Sequence, residues 1–276
     1  MAEYLPYAGT NAIQEAVIGV HFQSNFPSSD VDQARSVAEA DFKAIFPRSE
    51  DIHEAQLKID NTNQETVRIG GDRAFRRSGF QMIKTGSDGK PSRVLRMVTN
   101  LLTVHFMEYD RWAPTLEASL RYILTILPRL DLVGNALQAF SLRYIDRFTF
   151  DGYPDDAKAS FLIKDESSFV TKQCFSAGPF WHCHSGWFGT LGDNSRILNQ
   201  LNIGSSMIDN APTVTIDHNM ICKMERLHNT VESFQDSSGG KNVDFKASLN
   251  CLHKMNRDTL SDVLVEDMSR QIGLVT

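Results

Sequence analysis

Between Ala136 and Phe150 the chain reads ALQAFSLRYIDRFTF, and its apolar positions alternate. Successive strand residues point to opposite faces. Phe140, Leu142, Tyr144, Phe148 and Phe150 therefore share one face, interrupted only by Asp146, while Ser141, Arg143, Ile145, Arg147 and Thr149 share the other. One packed and one accessible face predicts a half-buried antiparallel strand, since a central parallel strand would read as a nearly continuous apolar run.

The same reading covers the rest of the chain. Glu15 to Phe22 alternates and predicts a strand. Ser28-Ser29-Asp30 then offers an N-cap, and Val31, Ala34, Ala38, Phe42 and Ile45 recur at helical steps until Pro47. Ala55–Asp60, Thr66–Lys84 and Arg93–Tyr109 are rich in β-branched and aromatic residues and predict a three-stranded meander, with Gly70-Gly71 marking a bulge. Pro114 suits a first helical position, and Leu116, Leu120, Ile123, Leu124 and Leu127 trace a core-facing stripe ended by Pro128.

After the central strand, Asp155–Ile163 reads as a short helix. Three further strands are predicted over Phe169–Thr190, Ser195–Ile208 and Pro212–Met224. Glu232–Asn242, with Ser237-Ser238-Gly239-Gly240, reads as a loop, and one long helix runs from Asp244 to Ile272, capped by Gly273.

Residues 1–135 and 136–276 thus each read strand, helix, three strands, helix. This predicts an α+β fold in which duplicated β-α-β-β-β-α units join into one continuous antiparallel sheet. Two long helices would back that sheet, with Leu120 and Leu264 covering the same face. The outline is similar to that of TATA-binding-like ligand sensors, an analogy of fold alone.

Composition narrows the function. Of the 276 residues, 41% are hydrophobic and 22% charged, as in an ordinary globular protein, so one compact domain or two small ones both fit. A net charge of −6 argues against a broad nucleic-acid footprint. Cys174, Cys183, Cys222 and Cys251 form no CxxC pair, which predicts reduced thiols in a cytoplasmic protein. Glu3 and the lack of a basic n-region predict no signal peptide, and no apolar run has the length of a membrane-spanning helix.

Two arrangements carry candidate chemistry. Arg143 and Arg147 emerge on the open face of the central strand, within reach of Asp217 on the strand Thr213–Met224, and His21 lies on the matching face of the first strand. Exposed ion pairs give the plain structural explanation of such residues. A receptive arginine pair would take a small anionic ligand or an acidic protein segment. In Trp181-His182-Cys183-His184, His182 and His184 share a strand face and have the spacing of a zinc or iron pair, with His218 or Asp217 as a third ligand. The sequence has no GxSxG, HExxH or paired-carboxylate signature.

The order of NAIQEAVIGVHF, SLRYIDRF, TIDHN and LHKMNRDTLSDVLVEDMSRQIG resembles a sporadically distributed prokaryotic family of uncharacterised proteins, over nearly the whole chain. Glu15, Arg143, Tyr144, Arg147, Asp217 and His253 are the sharpest matches; Asp146 departs from the Asn that the resemblance implies, and WHCHSGWF matches no part of the family. The family brings no activity to carry over. Its patchy occurrence is like that of mobile or defence-associated genes and implies a conditional role.

The expectation is a non-enzymatic binding, adaptor or sensor protein without a cofactor. It would act through the open sheet face, with Arg143, Arg147, Asp217, His21 and Tyr144 meeting a small anionic ligand, a protein partner or a second copy of the chain. The alternative is a metal-assisted hydrolase using His182 and His184, with zinc as the candidate ion.

Overall fold

The computed structural model describes residues 3–55, 75–191, 195–228 and 244–274. The strands are β1 (Glu3–Pro6), β2 (Ile13–Phe22), β3 (Arg48–Ala55), β4 (Phe75–Thr85), β5 (Pro91–Val98), β6 (Leu101–Phe106), β7 (Leu137–Asp151), β8 (Trp181–Thr190), β9 (Arg196–Ile208) and β10 (Ala211–His228). The helices are α1 (Ser28–Phe42), α2 (Trp112–Ile126), α3 (Phe245–Val263) and α4 (Glu266–Gln271). All ten strands form one sheet in the order β3-β4-β5-β6-β2-β7-β10-β9-β8, with β1 continuing the β2 side of β7, and every pairing is antiparallel.

The alternation in β7 does what the sequence predicts. Phe140, Leu142, Tyr144, Phe148 and Phe150 are buried, and so is Asp146, whereas Arg143, Ile145, Arg147 and Thr149 are only half-buried. Two cores meet along this strand. One joins Ile18, Val20, Phe140 and Leu142 to the apolar faces of α1 and α2 and to Phe245, Leu249 and Leu252 of α3. The other joins Phe148, Val214, Ile216 and Ile203 to Leu260, Val263 and Leu264. Both lie on the same side of the sheet, and this burial is the main stabilising term. The opposite face is open and carries the polar half of each alternation.

Outward from the β2/β7 seam, the order is β2-β6-β5-β4-β3 on one side and β7-β10-β9-β8 on the other. On both sides the earliest strand lies innermost, beside the latest.

Several boundaries differ from the sequence reading. Arg93–Tyr109 is two strands, because Thr99 turns into the left-handed region (φ 52°) and the chain reverses at Thr99-Asn100. Two β-branched or apolar runs joined by such a turn look continuous in sequence. Asp155–Ile163 holds short 3-10 turns over Pro154–Asp156 and Ala159–Phe161. Phe169–Thr190 is extended only from Trp181, after a 3-10 turn at Lys172–Ser176. The last helix breaks at Leu264-Val265, where Leu264 bridges to Ile163. Asp244 caps α3, accepting from the Ala247 amide at 2.8 Å. Leu264 is fully buried, but just past the end of α3, and Leu120 is half-buried at the margin of the first core. The Gly70-Gly71 bulge, the strand Ala55–Asp60 beyond Ala55 and the loop Glu232–Asn242 lie outside the described residues. Among the described residues no helix is long and apolar enough to cross a membrane.

Candidate functional site

The open face carries the side chains of Arg143, Arg147, Asp217 and His21. Arg143 holds Asp217 in a two-point pair, Nε to Oδ1 and Nη2 to Oδ2, both at 2.7 Å. Asp217 therefore holds the Arg143 guanidinium above its ordinary pKa. Glu15 accepts a 2.7 Å contact from His105, which lies 3.0 Å from Thr103 on its other nitrogen, and this bond keeps the Glu15 carboxyl below the usual range. His21 meets the Ser141 hydroxyl at 3.0 Å. Arg147 does not join Asp217. It lies over the Tyr7 ring at 5.9 Å and 4.0 Å from the exposed Asp209.

The two arginines thus share a face without converging on one ligand. Replacing Arg143 with glutamine should lower stability by about 1 kcal/mol or less, because the pair is part-exposed and water screens it. A urea titration of the variant checks this, and a loss several times larger would mean that the pair organises the whole face.

The histidine pair also separates. His182 and His184 are exposed on the open face of β8, and His184 hydrogen-bonds Asn202. His218 is fully buried on the other face, between Asn256 (2.9 Å) and Asn199 (3.3 Å), and burial lowers its pKa to about 4. It cannot reach His182 or His184 through the sheet. No group of three or more His, Cys, Asp or Glu among the described residues could hold a metal. Cys183, between the two histidines, is buried.

Tyr144 points the other way from Arg143, into the helix-covered side, and is fully buried. It leads to a cavity of about 540 Å³. The cavity exists because the chain leaves β7 between β1 and β2. Residues 7–12 loop outward and rejoin the strand through Ala12, whose carbonyl accepts the Arg147 amide at 2.8 Å. Asn11 fixes the loop, accepting from the Ile13 amide and donating to the Tyr109 carbonyl at 2.8 Å.

Opposite this loop, α3 contributes His253, Asn256, Arg257 and Leu260, whose i, i+3, i+4, i+7 spacing puts them on one helix face. Trp112, the first residue of α2, stacks on His253 (ring centroids 4.5 Å apart, 13° between planes) and donates to Asn250 at 2.7 Å. Arg257 ties the C-terminal turn to the rim through the carbonyls of Gly273 (2.8 Å) and Leu274 (3.0 Å).

Asp146 is among the residues that line this cavity. It is 1% exposed, is paired across the sheet with Ile13 and Ile216, and leaves its Oδ2 without a hydrogen-bond partner. Burial among apolar neighbours penalises the charged form and pushes its pKa up to about 7. The Tyr144 hydroxyl lies 2.9 Å from His253 Nδ1, and its ring meets that of Tyr109 edge-on, with centroids 6.0 Å apart. Burial, with the nearby Arg257 charge, lowers His253 to about 4, and burial raises Tyr109 to about 12.

Of the groups that line this cavity, Tyr144, His253 and Asp146 each stand out in the sequence, but nothing there joins them. Tyr109 carries no sequence signal at all. No family model matches the chain, and no curated protein or solved structure matches it either.

Proposed function

We propose that this is a non-enzymatic binding or sensor protein whose ligand enters the cavity above Asp146, with the open sheet face left to a protein partner. One observation carries the reading: a buried carboxyl with an unpartnered oxygen lines a cavity of about 540 Å³, among aromatic rings and hydroxyls. A buried polar atom without a partner costs about 1–3 kcal/mol, so a site that keeps one is poised to gain when a ligand supplies the missing bond. The open face supports a ligand site less well, because Arg143, Glu15 and His21 already have protein partners there.

A duplicated β-α-β-β-β-α unit belongs to the same proposal. The similar outward strand orders and the closing helices α2 and α3 support it, although the first half has one strand more, β3 at the edge, and 3-10 turns stand after β7 where α1 stands after β2. On that reading the cavity sits near the junction of the two units, as ligand sites often do where repeated elements meet. The likeness to TATA-binding-type sensors, kinship with the sporadic prokaryotic family and a conditional, defence-linked role are further parts of this proposal.

The test is a thermal-shift screen against small metabolites of cationic, neutral and anionic classes, with Thr10→Trp as the blocking variant. Thr10 is exposed at the cavity rim, so the change should spare the fold and close the entrance. At least one compound should raise the melting temperature of the protein, lose its effect on Thr10→Trp, and be recovered unchanged by mass spectrometry. No stabilising compound, or equal stabilisation of Thr10→Trp, would remove the cavity as the site. Consumption of the compound would make the protein an enzyme.

A further inference from the structure

The ligand class follows from what surrounds the unpartnered oxygen, and the inference rests on the cavity being the ligand site. Charged and titratable groups face the space from three elements: Tyr144 and Asp146 from β7, Tyr109, Asp110 and Arg111 from the β6–α2 link, and His253 and Arg257 from α3. The loop 7–12 and the C-terminal turn contribute none to the lining. Arg257 is occupied by two backbone carbonyls, and Asp110 and Arg111 are exposed at the rim. No cation among the described residues is bonded to Asp146 Oδ2. A buried carboxylate without a cation is costly, and its natural complement is a positive charge that brings its own donors. The rings of Tyr109, Tyr144 and Trp112 line the same space, and aromatic faces attract a desolvated ammonium.

We infer that the cavity takes a small organic ammonium ion, whose N–H donates to the Asp146 carboxylate while its carbon skeleton packs against Tyr109, Tyr144 and Trp112. A volume of about 540 Å³ suits a ligand of the size of an arylalkylamine or a short diamine. His253, lowered to about 4, is neutral near pH 7 and does not compete as a cation; Tyr109, raised to about 12, keeps its proton.

Binding of an ammonium requires the ionised carboxyl, so affinity should rise with pH through the Asp146 titration and then level off. With that titration centred at about 7, the dissociation constant should be about tenfold lower at pH 8 than at pH 6.

The experiment measures binding of methylamine, putrescine, phenethylamine and tryptamine by thermal shift and calorimetry at pH 6 and pH 8. Phenethyl alcohol and phenylpropionate serve as neutral and anionic analogues. The expected result is that at least one amine binds, more tightly at pH 8, and that Asp146→Asn keeps a cooperative melt yet loses at least tenfold in affinity for it. If the alcohol or the carboxylate binds better than every amine, or if Asp146→Asn binds the amine undiminished, the ammonium assignment is overturned while the cavity reading stands. If none of the six probes binds and the metabolite screen is also empty, both fall.

Discussion

Asparagine in place of Asp146 should make the ligand-free protein more stable at pH 8, by an amount that shrinks as the pH is lowered towards 4. The sign follows from proton linkage. In the folded protein burial holds this carboxyl at about 7, against an ordinary value of 3.8. Between those values the folded state keeps the proton and the unfolded state has lost it. Stability therefore falls as pH rises through this window and is flat above it. At about 1.4 kcal/mol per pH unit, the gap comes to about 4 kcal/mol, an upper estimate because water entering the cavity would soften it. Asparagine is similar in shape and has no such titration. The difference between the two denaturation curves, measured from pH 4 to pH 9, isolates this group from all others that titrate. A difference that does not change with pH would mean that Asp146 is solvated or paired in the folded protein, and the ligand argument built on it would fail as well.

A second large effect should come from a change that adds a single carbon. At Gly79 in β4, a Cβ would stand 1.9 Å from the carbonyl oxygen of Met97 and 2.8 Å from the Val98 Cα on β5. Backbone atoms of a paired strand cannot move aside as a side-chain end can. The β3/β4 register also shifts beside this residue, where Ile52 pairs with Gly79 and His53 with Arg77. Gly79→Ala should therefore destabilise the protein by ~3 kcal/mol or more, through loss of β4–β5 pairing. Gly186 in β8 is the control: its added Cβ would meet only the Asn199 carbonyl, at 3.6 Å, so Gly186→Ala should lie within about 1 kcal/mol of the parent or slightly above it. Chemical denaturation of the two variants side by side decides the matter. Similar curves for both would show that the close approach at Gly79 has room to relax.

Much of the sheet is legible from alternation alone, because the helix-covered face is a solvent boundary and the side-chain period is two. Phe140 to Phe150, Val214 to Met224 and Ala16 to Phe22 fall on the faces that their spacing predicts. What alternation does not show is where a strand stops. Thr99 turns with a positive φ that β-branched residues rarely adopt, and Trp181 begins a strand after twelve residues that look equally extended in composition.

The cavity is harder to read for a different reason. Asp146 is visible in the sequence as the one charged residue on an apolar strand face, which marks it as costly, yet its surroundings come from four separated segments. Tyr144 meets a histidine 109 residues further on, Tyr109 comes from the β6–α2 link, and Asn11 arrives through the loop that interrupts β7's pairing and bonds the Tyr109 carbonyl. The shared face puts Asp217 within reach of Arg143 or Arg147, and it pairs with Arg143. Arg147 shared that face but not that partner, since two strand residues on one side stand about 7 Å apart and can answer to different neighbours.

The seam between β2 and β7 has a bearing on how the protein is made. His21 and Ser141, bonded across it, are 120 positions apart. On the ribosome, β2 can pair with β6 as soon as the first half has emerged, but its other edge waits until β7 follows. During that interval the stretch Ala16-Val17-Ile18-Gly19-Val20 offers a free row of amides and carbonyls beside side chains that end up buried. Such an edge pairs readily with any other extended chain. A nascent or truncated product ending before Leu137 would carry this edge uncapped, so translation itself must outrun, or a chaperone must hold off, its capture by neighbouring chains.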